Sequence, residues 1–236
     1  AETSTGVCQP MDGVGDLCRK HDCLLLLDTV TSLGGVPLYI DEWKVDLAYS
    51  CSQKGLSCPP GLGPFTMGPR AEAKMASRSG KVPNWYLDVS LLNKYWGSDR
   101  VYHHTAPVNM NFGMREALRL LAEEGLDQAW ARHRRNAEML WSGLEGLGLS
   151  MHVPADRRLP TLTTVRIPEG VDGKAFSQHL LNHHGIEVGG GLGSLAGKIW
   201  RIGLMGYNST PENVNKLLNL FETELPRFSG NLAAAA

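Results

Sequence analysis

The sequence lacks an excess of charge of either sign. Its 236 residues include 23 lysines and arginines and 24 aspartates and glutamates, so the formal net charge is −1 at pH 7. A protein that binds nucleic acid needs a basic surface for the phosphates, and this balance argues against one. Long apolar runs are also missing, because no stretch approaches the roughly 20 residues that a membrane span needs. We therefore expect neither a nucleic acid nor a membrane as a partner.

Paired cysteines and targeting segments are missing as well. An odd number of cysteines without close pairing is typical of free thiols in a reducing compartment. The five are Cys8, Cys18, Cys23, Cys51 and Cys58. Residues 1–6 are neither a signal nor a transit peptide, and residues 231–236 are not a peroxisomal address. We predict a cytoplasmic protein, with a peroxisomal or mitochondrial location open if the source is eukaryotic.

Two strand-like segments are followed by residues of opposite charge. The four leucines at 24–27 predict a parallel strand that is buried on both faces, and Asp28 closes it. Val45–Ser50 predicts a second strand, and Lys54 follows in a loop with too many glycines and prolines for a helix. Open α/β sheets bind ligands at the carboxyl ends of their strands. The ordinary alternatives are a surface lysine and a helix-capping aspartate.

A carboxylate and an amine at neighbouring strand ends suit pyridoxal 5'-phosphate (PLP). This cofactor forms a Schiff base with a lysine and needs an acidic partner at its pyridine nitrogen. Burial in a dry cleft makes a lysine amine more nucleophilic in general. We therefore identify Lys54 and Asp28 as the candidate catalytic residues.

Six segments of the chain are longer than a generic motif. They are residues 23–35, 49–54, 102–107, 158–164, 189–193 and 200–206. They resemble class V PLP-dependent aminotransferases, in particular the alanine–glyoxylate and serine–pyruvate aminotransferase group, over nearly the whole chain.

The resemblance implies an α/β fold of the fold-type I class of PLP-dependent transferases. Residues 1–148 would form the C-terminal part of the large cofactor-binding domain, with its mostly parallel sheet. Residues 149–236 would form a small C-terminal α/β domain. Because the similarity starts in the middle of the family's large domain, we expect an N-terminally truncated fragment without the family's phosphate loop. Unpaired sheet edges would leave such a fragment poorly stable and inactive alone.

The resemblance also implies roles for individual residues. Lys54 would hold PLP and carry a proton between substrate and cofactor, and Asp28 would pair with the pyridine nitrogen. Gln53 and Thr3 match positions near the cofactor. Arg201 would bind the α-carboxylate of the substrate with its guanidinium fork.

Tyr102 and Thr105 resemble residues that the family donates across a subunit interface to the cofactor phosphate of the partner. This implies a homodimer with shared active sites. The intervening His103 and His104, and the pair at 183–184, predict no metal site. Side chains adjacent in sequence tend to point apart, and no third ligand lies at metal spacing.

We expect transamination from alanine or serine to glyoxylate or pyruvate, so the partners are an amino acid and a 2-oxo acid. A kynurenine-type or serine–glyoxylate transaminase is an alternative, because the sequence does not define the side-chain pocket. A second alternative is a catalytically incomplete fragment that serves only subunit association. A third, nucleic-acid binding, depends only on interleaved basic and aromatic residues between 78 and 96, and the charge balance disfavours it.

Hydrophobic periodicity and breakers predict the other elements. Helices are expected at 10–22, 69–77, 107–124, 126–147, 173–182 and 211–224. Further strands are expected at 64–67, 161–167, 186–188 and 199–204. Residues 77–98 are expected to be irregular.

Overall fold

The computed structural model describes residues 1–229. The terminal alanines and the rest of the segment 230–236, where the predicted small domain ends, lie outside the described residues. The helices are α1 (Val14–Lys20), α2 (Pro69–Ala76), α3 (Val89–Trp96), α4 (Val108–Glu124), α5 (Leu126–Gly146), α6 (Gly173–His184) and α7 (Pro211–Glu224). The strands are β1 (Leu26–Asp28), β2 (Leu47–Tyr49), β3 (Phe65–Met67), β4 (Leu162–Arg166), β5 (Gly189–Gly190) and β6 (Ile199–Gly203).

The first sheet has the order β1-β2-β3. β1 and β2 are parallel, and Asp28 lies opposite Tyr49 in the register. β3 returns antiparallel to β2. Because parallel strands end at the same edge of a sheet, the loops after β1 and β2 begin side by side.

The leucines before Asp28 are less buried than expected. The expectation of burial on both faces was wrong, because Leu26 is 56% exposed and Leu24 is also exposed. Within residues 1–229, β1 pairs with β2 alone and is an edge strand. A strand with a neighbour on one side only has less cover for its side chains.

The second sheet is antiparallel and has the order β4-β6-β5. Arg201 at the centre of β6 lies opposite Thr164 on one side and Gly189 on the other. The strand expected at 186–188 is therefore displaced and forms at Gly189–Gly190 instead. Val188 is buried in the hydrophobic core rather than paired, since the ladder forms only where the chain runs beside β6.

The main hydrophobic core lies between this second sheet and helices α5, α6 and α7. Phe176 on α6 contacts the rings of Trp200 and Phe221 edge to face, at centroid distances of 5.4 and 5.0 Å. The indole N–H of Trp200 donates to the Gly173 carbonyl at 3.0 Å. Leu140 from α5 belongs to the same core. The end of α5 is thus an integral part of the C-terminal region.

Most helices have the expected bounds to within about two residues, but the helix expected at 10–22 is shorter and forms only at Val14–Lys20. The two longest helices meet at Gly125, whose φ of +86° favours glycine. The segment 77–98, expected to be irregular, contains α3, and this expectation was wrong. Asp88 caps α3 by accepting the N–H of Ser90 at 2.9 Å. α2 is equally short but was expected, because Pro69 marks its start, whereas α3 begins without a proline. No helix within residues 1–229 has both the length and the apolar character to traverse a bilayer.

Candidate active site

Asp28 ends β1 and has two hydrogen-bond donors. The Tyr49 hydroxyl donates to Oδ2 at 2.6 Å, and the N–H of Val30 donates to Oδ1 at 2.8 Å. The hydrogen bond to Asp28 raises the pKa of the Tyr49 phenol above its ordinary value, because ionisation would place two negative charges together. The carboxylate is exposed, and its remaining lone pairs can accept a further N–H donor.

Lys54 lies in the loop that follows β2 and is half-buried. Its carbonyl accepts the N–H of Ser57 at 3.0 Å, which closes a turn. In the part of the chain that the structure describes, no hydrogen bond or ion pair involves its ammonium group. The amine is therefore available to an external group.

The loops after β1 and β2 pack against each other beside Lys54. A Cβ on Gly55 would lie 2.3 Å from the carbonyl oxygen of Leu33, so only glycine fits at this contact. The Ser50 hydroxyl donates to the Thr29 carbonyl at 3.0 Å. These contacts hold the loop that carries Lys54 against the loop that follows Asp28.

The loop that carries Lys54 also contacts the turn after β6. The Ser57 hydroxyl oxygen accepts the N–H of Tyr207 at 2.8 Å. The neighbouring Gly206 donates its N–H to Nε2 of His133 on α5, also at 2.8 Å. Because Nε2 accepts, the ring proton is on Nδ1, which donates to the Ala129 carbonyl at 2.7 Å. Burial lowers the pKa of His133 and favours this neutral form.

Arg201 is oriented by two backbone carbonyls. Its Nε donates to Gly190 at 2.7 Å and its Nη1 donates to Thr3 at 3.3 Å. Within residues 1–229, Nη2 has no hydrogen-bond acceptor. The guanidinium is thus held in place with donors available for a carboxylate.

Thr3 links Arg201 to the segment after Asp28. Its hydroxyl shares a hydrogen bond with the hydroxyl of Thr31, and the carbonyl of Thr31 accepts the hydroxyl of Thr161. Thr31 is fully buried. The structure therefore brings together the segments of Asp28, Lys54, Thr3 and Arg201.

The candidate Gln53 and the nearby Ser32 make fewer contacts. Gln53 is exposed, and its side chain has no hydrogen bond among residues 1–229. Ser32 is buried, and its carbonyl accepts the N–H groups of Gly35 and Val36, both at 3.0 Å. The contacts of Ser32 are those of a structural turn.

Tyr102 and Thr105 are hydrogen-bonded to each other rather than to this group within residues 1–229. Their hydroxyls are 2.9 Å apart and hydrogen-bonded, and Tyr102 is 71% exposed. No hydrogen bond within the described ranges joins either side chain to Asp28 or Lys54. Donation to a partner subunit stays a prediction.

The two histidines between them do not point apart, so that expectation was wrong. Nδ1 of His103 lies 2.9 Å from Nδ1 of His104. His103 also stacks on Trp85 at 4.0 Å and bonds its carbonyl through Nε2 at 3.0 Å. The segment is neither helix nor strand, so regular alternation of side chains does not apply. These contacts shape the loop that presents Tyr102.

An apolar cavity of about 280 Å³ lies next to the strand ends. Its lining includes Tyr49, Phe65 and Trp130, and neither Asp28 nor Lys54 is part of it. The candidate site is thus the open surface beside this cavity.

The hydrogen bond of Tyr49 to Asp28 was not predicted from the sequence. The hydrogen bond can be found once the register of the parallel pair is known, because Tyr49 then lies opposite Asp28.

A family model described as Aminotransferase class-V matches residues 1–217. The chain belongs to the class V aminotransferase family. It is 48% identical to an alanine–glyoxylate aminotransferase of Oryctolagus cuniculus over 221 residues, which cover 92% of the chain and 56% of the relative. It is 38% identical to an (S)-ureidoglycine–glyoxylate transaminase of Bacillus subtilis over an alignment of 251 residues. This alignment covers 99% of this chain and 60% of the relative. The chain spans little more than half the length of these curated relatives.

Solved structures of the family have the same fold. The crystal structure of an alanine–glyoxylate aminotransferase from Nostoc sp. superposes with a TM-score of 0.92 at 64% identity, over 94% of this chain and 59% of the other. The crystal structure of a ureidoglycine–glyoxylate aminotransferase from Bacillus subtilis superposes with a TM-score of 0.94 at 39% identity, over 100% of this chain and 61% of the other. The predicted family and the fold-type I α/β class are confirmed. Class V aminotransferases depend on PLP.

Proposed function

We propose that this chain is part of a PLP-dependent transaminase that transfers an amino group from alanine or serine to glyoxylate or pyruvate. The proposal is supported by contacts between the segments that carry Lys54, Asp28 and Arg201. Ser50, which directly follows β2 and precedes Lys54, donates to the Thr29 carbonyl after Asp28, and Thr3 joins Arg201 to Thr31. The named relatives use glyoxylate, which favours it as the acceptor.

The donor set fits PLP. Asp28 has lone pairs for the protonated pyridine nitrogen, and Lys54 offers a primary amine for covalent attachment. When bound, the cofactor supplies an electron sink for the electron pair released at the substrate Cα. Thr3 and Gln53 would help to orient it through hydrogen bonds.

Lys54 would also move the proton. Its amine forms no ion pair in the described part of the chain, so it is free to turn toward the reacting carbon. It would accept the proton released at the substrate Cα and hold it on Nζ. The carboxylate oxygens of Asp28 would accept the N–H of the pyridine nitrogen.

Arg201 would bind the α-carboxylate common to both substrates. Its Nε and Nη1 already donate to carbonyls at 2.7 and 3.3 Å, so the guanidinium plane is oriented before the substrate arrives. Pre-orientation lowers the entropic cost of a hydrogen-bonded ion pair. Tyr102 and Thr105, hydrogen-bonded and exposed, would act on the cofactor phosphate of a partner subunit in a homodimer.

Lys54→Ala tests the proposal in the protein at its natural full length. We expect loss of the covalent PLP adduct, measured by mass spectrometry after borohydride trapping, and loss of alanine–glyoxylate activity by at least about 1,000-fold. Lys81→Ala is the matched control, because Lys81 is also a loop lysine and is exposed. An adduct that survives in Lys54→Ala would refute the assignment.

The same assay separates the alternatives. Alanine, serine, ureidoglycine and kynurenine are compared as donors with glyoxylate and pyruvate as acceptors. Activity with kynurenine alone would favour the kynurenine-type alternative. A wild-type protein that forms oligomers but takes up no PLP would favour subunit association as its function.

A further inference from the structure

A second cluster of chemically active side chains lies where α6 and α7 end. His179 and His184 come from α6, and Glu224 is the last residue of α7. One ligand atom from each lies within 4.8 Å of the other two. The three residues are not part of the proposed transaminase site, and their order in the sequence gives no metal-binding motif.

The spacing of the donor atoms is close to that of a metal site. His179 Nε2 lies 3.0 Å from Glu224 Oε2, and the rings of His179 and His184 have centroids 5.4 Å apart. Donors at about 2.0–2.2 Å from a tetrahedral zinc ion are roughly 3.4 Å from each other. Small side-chain rotations are therefore enough to bring all three donors onto one ion.

The helices that carry the donors are firmly anchored. Phe176 and Leu180, on the same helix as the two histidines, are fully buried in the main core. The ring of His179 packs on Phe228 at 5.2 Å. The side chains of His179 and Glu224 are 15% and 20% exposed. The donors are thus partly removed from water and held by rigid elements, which favours metal binding.

The electrostatics also favour a cation at this position. The carboxyl-terminal ends of α6 and α7 both meet here, and helix C-termini carry a partial negative charge. Oε2 of Glu224 already contacts both the guanidinium of Arg227 and Nε2 of His179.

Arg227 is the competing cation. It forms an ion pair with the same Glu224 oxygen that contacts His179. Its side chain is 64% exposed, so it can turn into solvent when a stronger cation arrives. Arg227 would then weaken metal binding without preventing it.

We propose that His179, His184 and Glu224 bind one divalent transition-metal ion, with a coordination position left for water. Two imidazoles and one carboxylate suit Zn²⁺, Co²⁺ or Ni²⁺ better than Mg²⁺ or Ca²⁺, which prefer oxygen ligands. Such an ion would tie α6 to α7. His184 belongs to the adjacent pair 183–184, for which the sequence predicts no metal site, and the proposed third ligand Glu224 is 40 residues further along the chain.

The test is a titration of the purified, metal-stripped full chain with Zn²⁺ and Co²⁺ alone. We expect one tightly bound equivalent per chain by calorimetry, visible absorption bands of Co²⁺ typical of low coordination number, and a higher Tm with Zn²⁺. His184→Gln and Glu224→Gln should each weaken binding by more than about 100-fold, because losing even an outer partner of a ligand costs about 10- to 100-fold. Circular dichroism checks that the variants are folded.

Two further variants make the test specific. His21→Gln removes an exposed histidine elsewhere and should leave the affinity unchanged. Arg227→Gln removes the competitor and should tighten binding. No Zn²⁺-dependent change in the wild-type chain, equal affinity in His184→Gln or Glu224→Gln, or weaker binding in Arg227→Gln would overturn the proposal.

Discussion

Large hydrophobic side chains are much more exposed before residue 140 than after it. From Leu140 to Leu225, two sheet strands and three helices enclose one continuous core. Most of the exposed large hydrophobic residues lie before residue 127, among them Leu26, Trp96 and Phe112. The C-terminal region is held by its core, whereas the candidate site in the N-terminal region is held mainly by contacts between loops.

Because of this difference, we expect stability to depend mainly on the C-terminal core and chemistry mainly on the N-terminal region. A closed core gives α6 and α7 fixed positions, so that even a site on their ends is rigid. Asp28, at the end of β1, is exposed, and Lys54 in the loop after β2 is half-buried. In a core with many apolar contacts, a single substitution lowers the free energy of unfolding strongly only when it removes a large side chain. We therefore expect large stability effects in one region and chemical effects in the other.

The largest stability effect is expected from Phe176→Ala. Its ring is fully buried at the centre of the core, so truncation should lower the free energy of unfolding by about 3–5 kcal/mol. Phe112→Ala is the matched control, because that ring is exposed and its loss should cost less than about 0.5 kcal/mol. Urea unfolding followed by circular dichroism measures both. Similar costs would break the comparison between the two regions.

An intermediate effect is expected from His133→Gln, at the junction of the two regions. The change disturbs the acceptor of the Gly206 N–H and should lower the free energy of unfolding by about 1–3 kcal/mol.

The pH dependence of stability gives a sharper test of His133. The pKa of His133 is lowered in the folded protein, so the unfolded chain binds a proton first as the pH falls. Wild-type stability should therefore decline below about pH 6.5 and down to the folded pKa.

The variant should lose the part of this decline that His133 causes. Unfolding at several pH values between 8 and 5 measures the slope, and His21→Gln serves as the control at an exposed histidine. An unchanged slope in His133→Gln would contradict a neutral, buried imidazole at this junction.

The smallest effect on stability is expected from Asp28→Asn. The carboxylate is exposed, and the free energy of unfolding should change by less than about 1 kcal/mol. The chemical effect is specific: the pKa of Tyr49 should fall toward its ordinary value, because Asp28 raises it. Ultraviolet titration of tyrosinate, with Tyr49→Phe to identify the signal, measures the change. Asp22→Asn, at another exposed carboxylate, should have no effect on this titration.

Much of the candidate site was accessible from the sequence, because it consists of single residues within long family-like segments. The convergence of Thr3 and Arg201 was not, since it depends on a contact across 198 residues. The short helix α3 and the exposure of Leu26 were also missed. The exposure of Leu26 depends on what packs against β1. The helix α3 has no buried residue and lacks the proline that marks the start of α2.

The sequence by itself determined the family, the α/β class and the positions of the long helices, because these follow from motif identity and from hydrophobic periodicity within a segment. Only the tertiary structure decided that Tyr49 bonds Asp28, that His133 joins the turn after β6 to α5, and that Glu224 meets His179 and His184. These contacts join residues between 21 and 73 positions apart. The physical reason is that strand register and helix packing, which set such distances, depend on the whole chain at once.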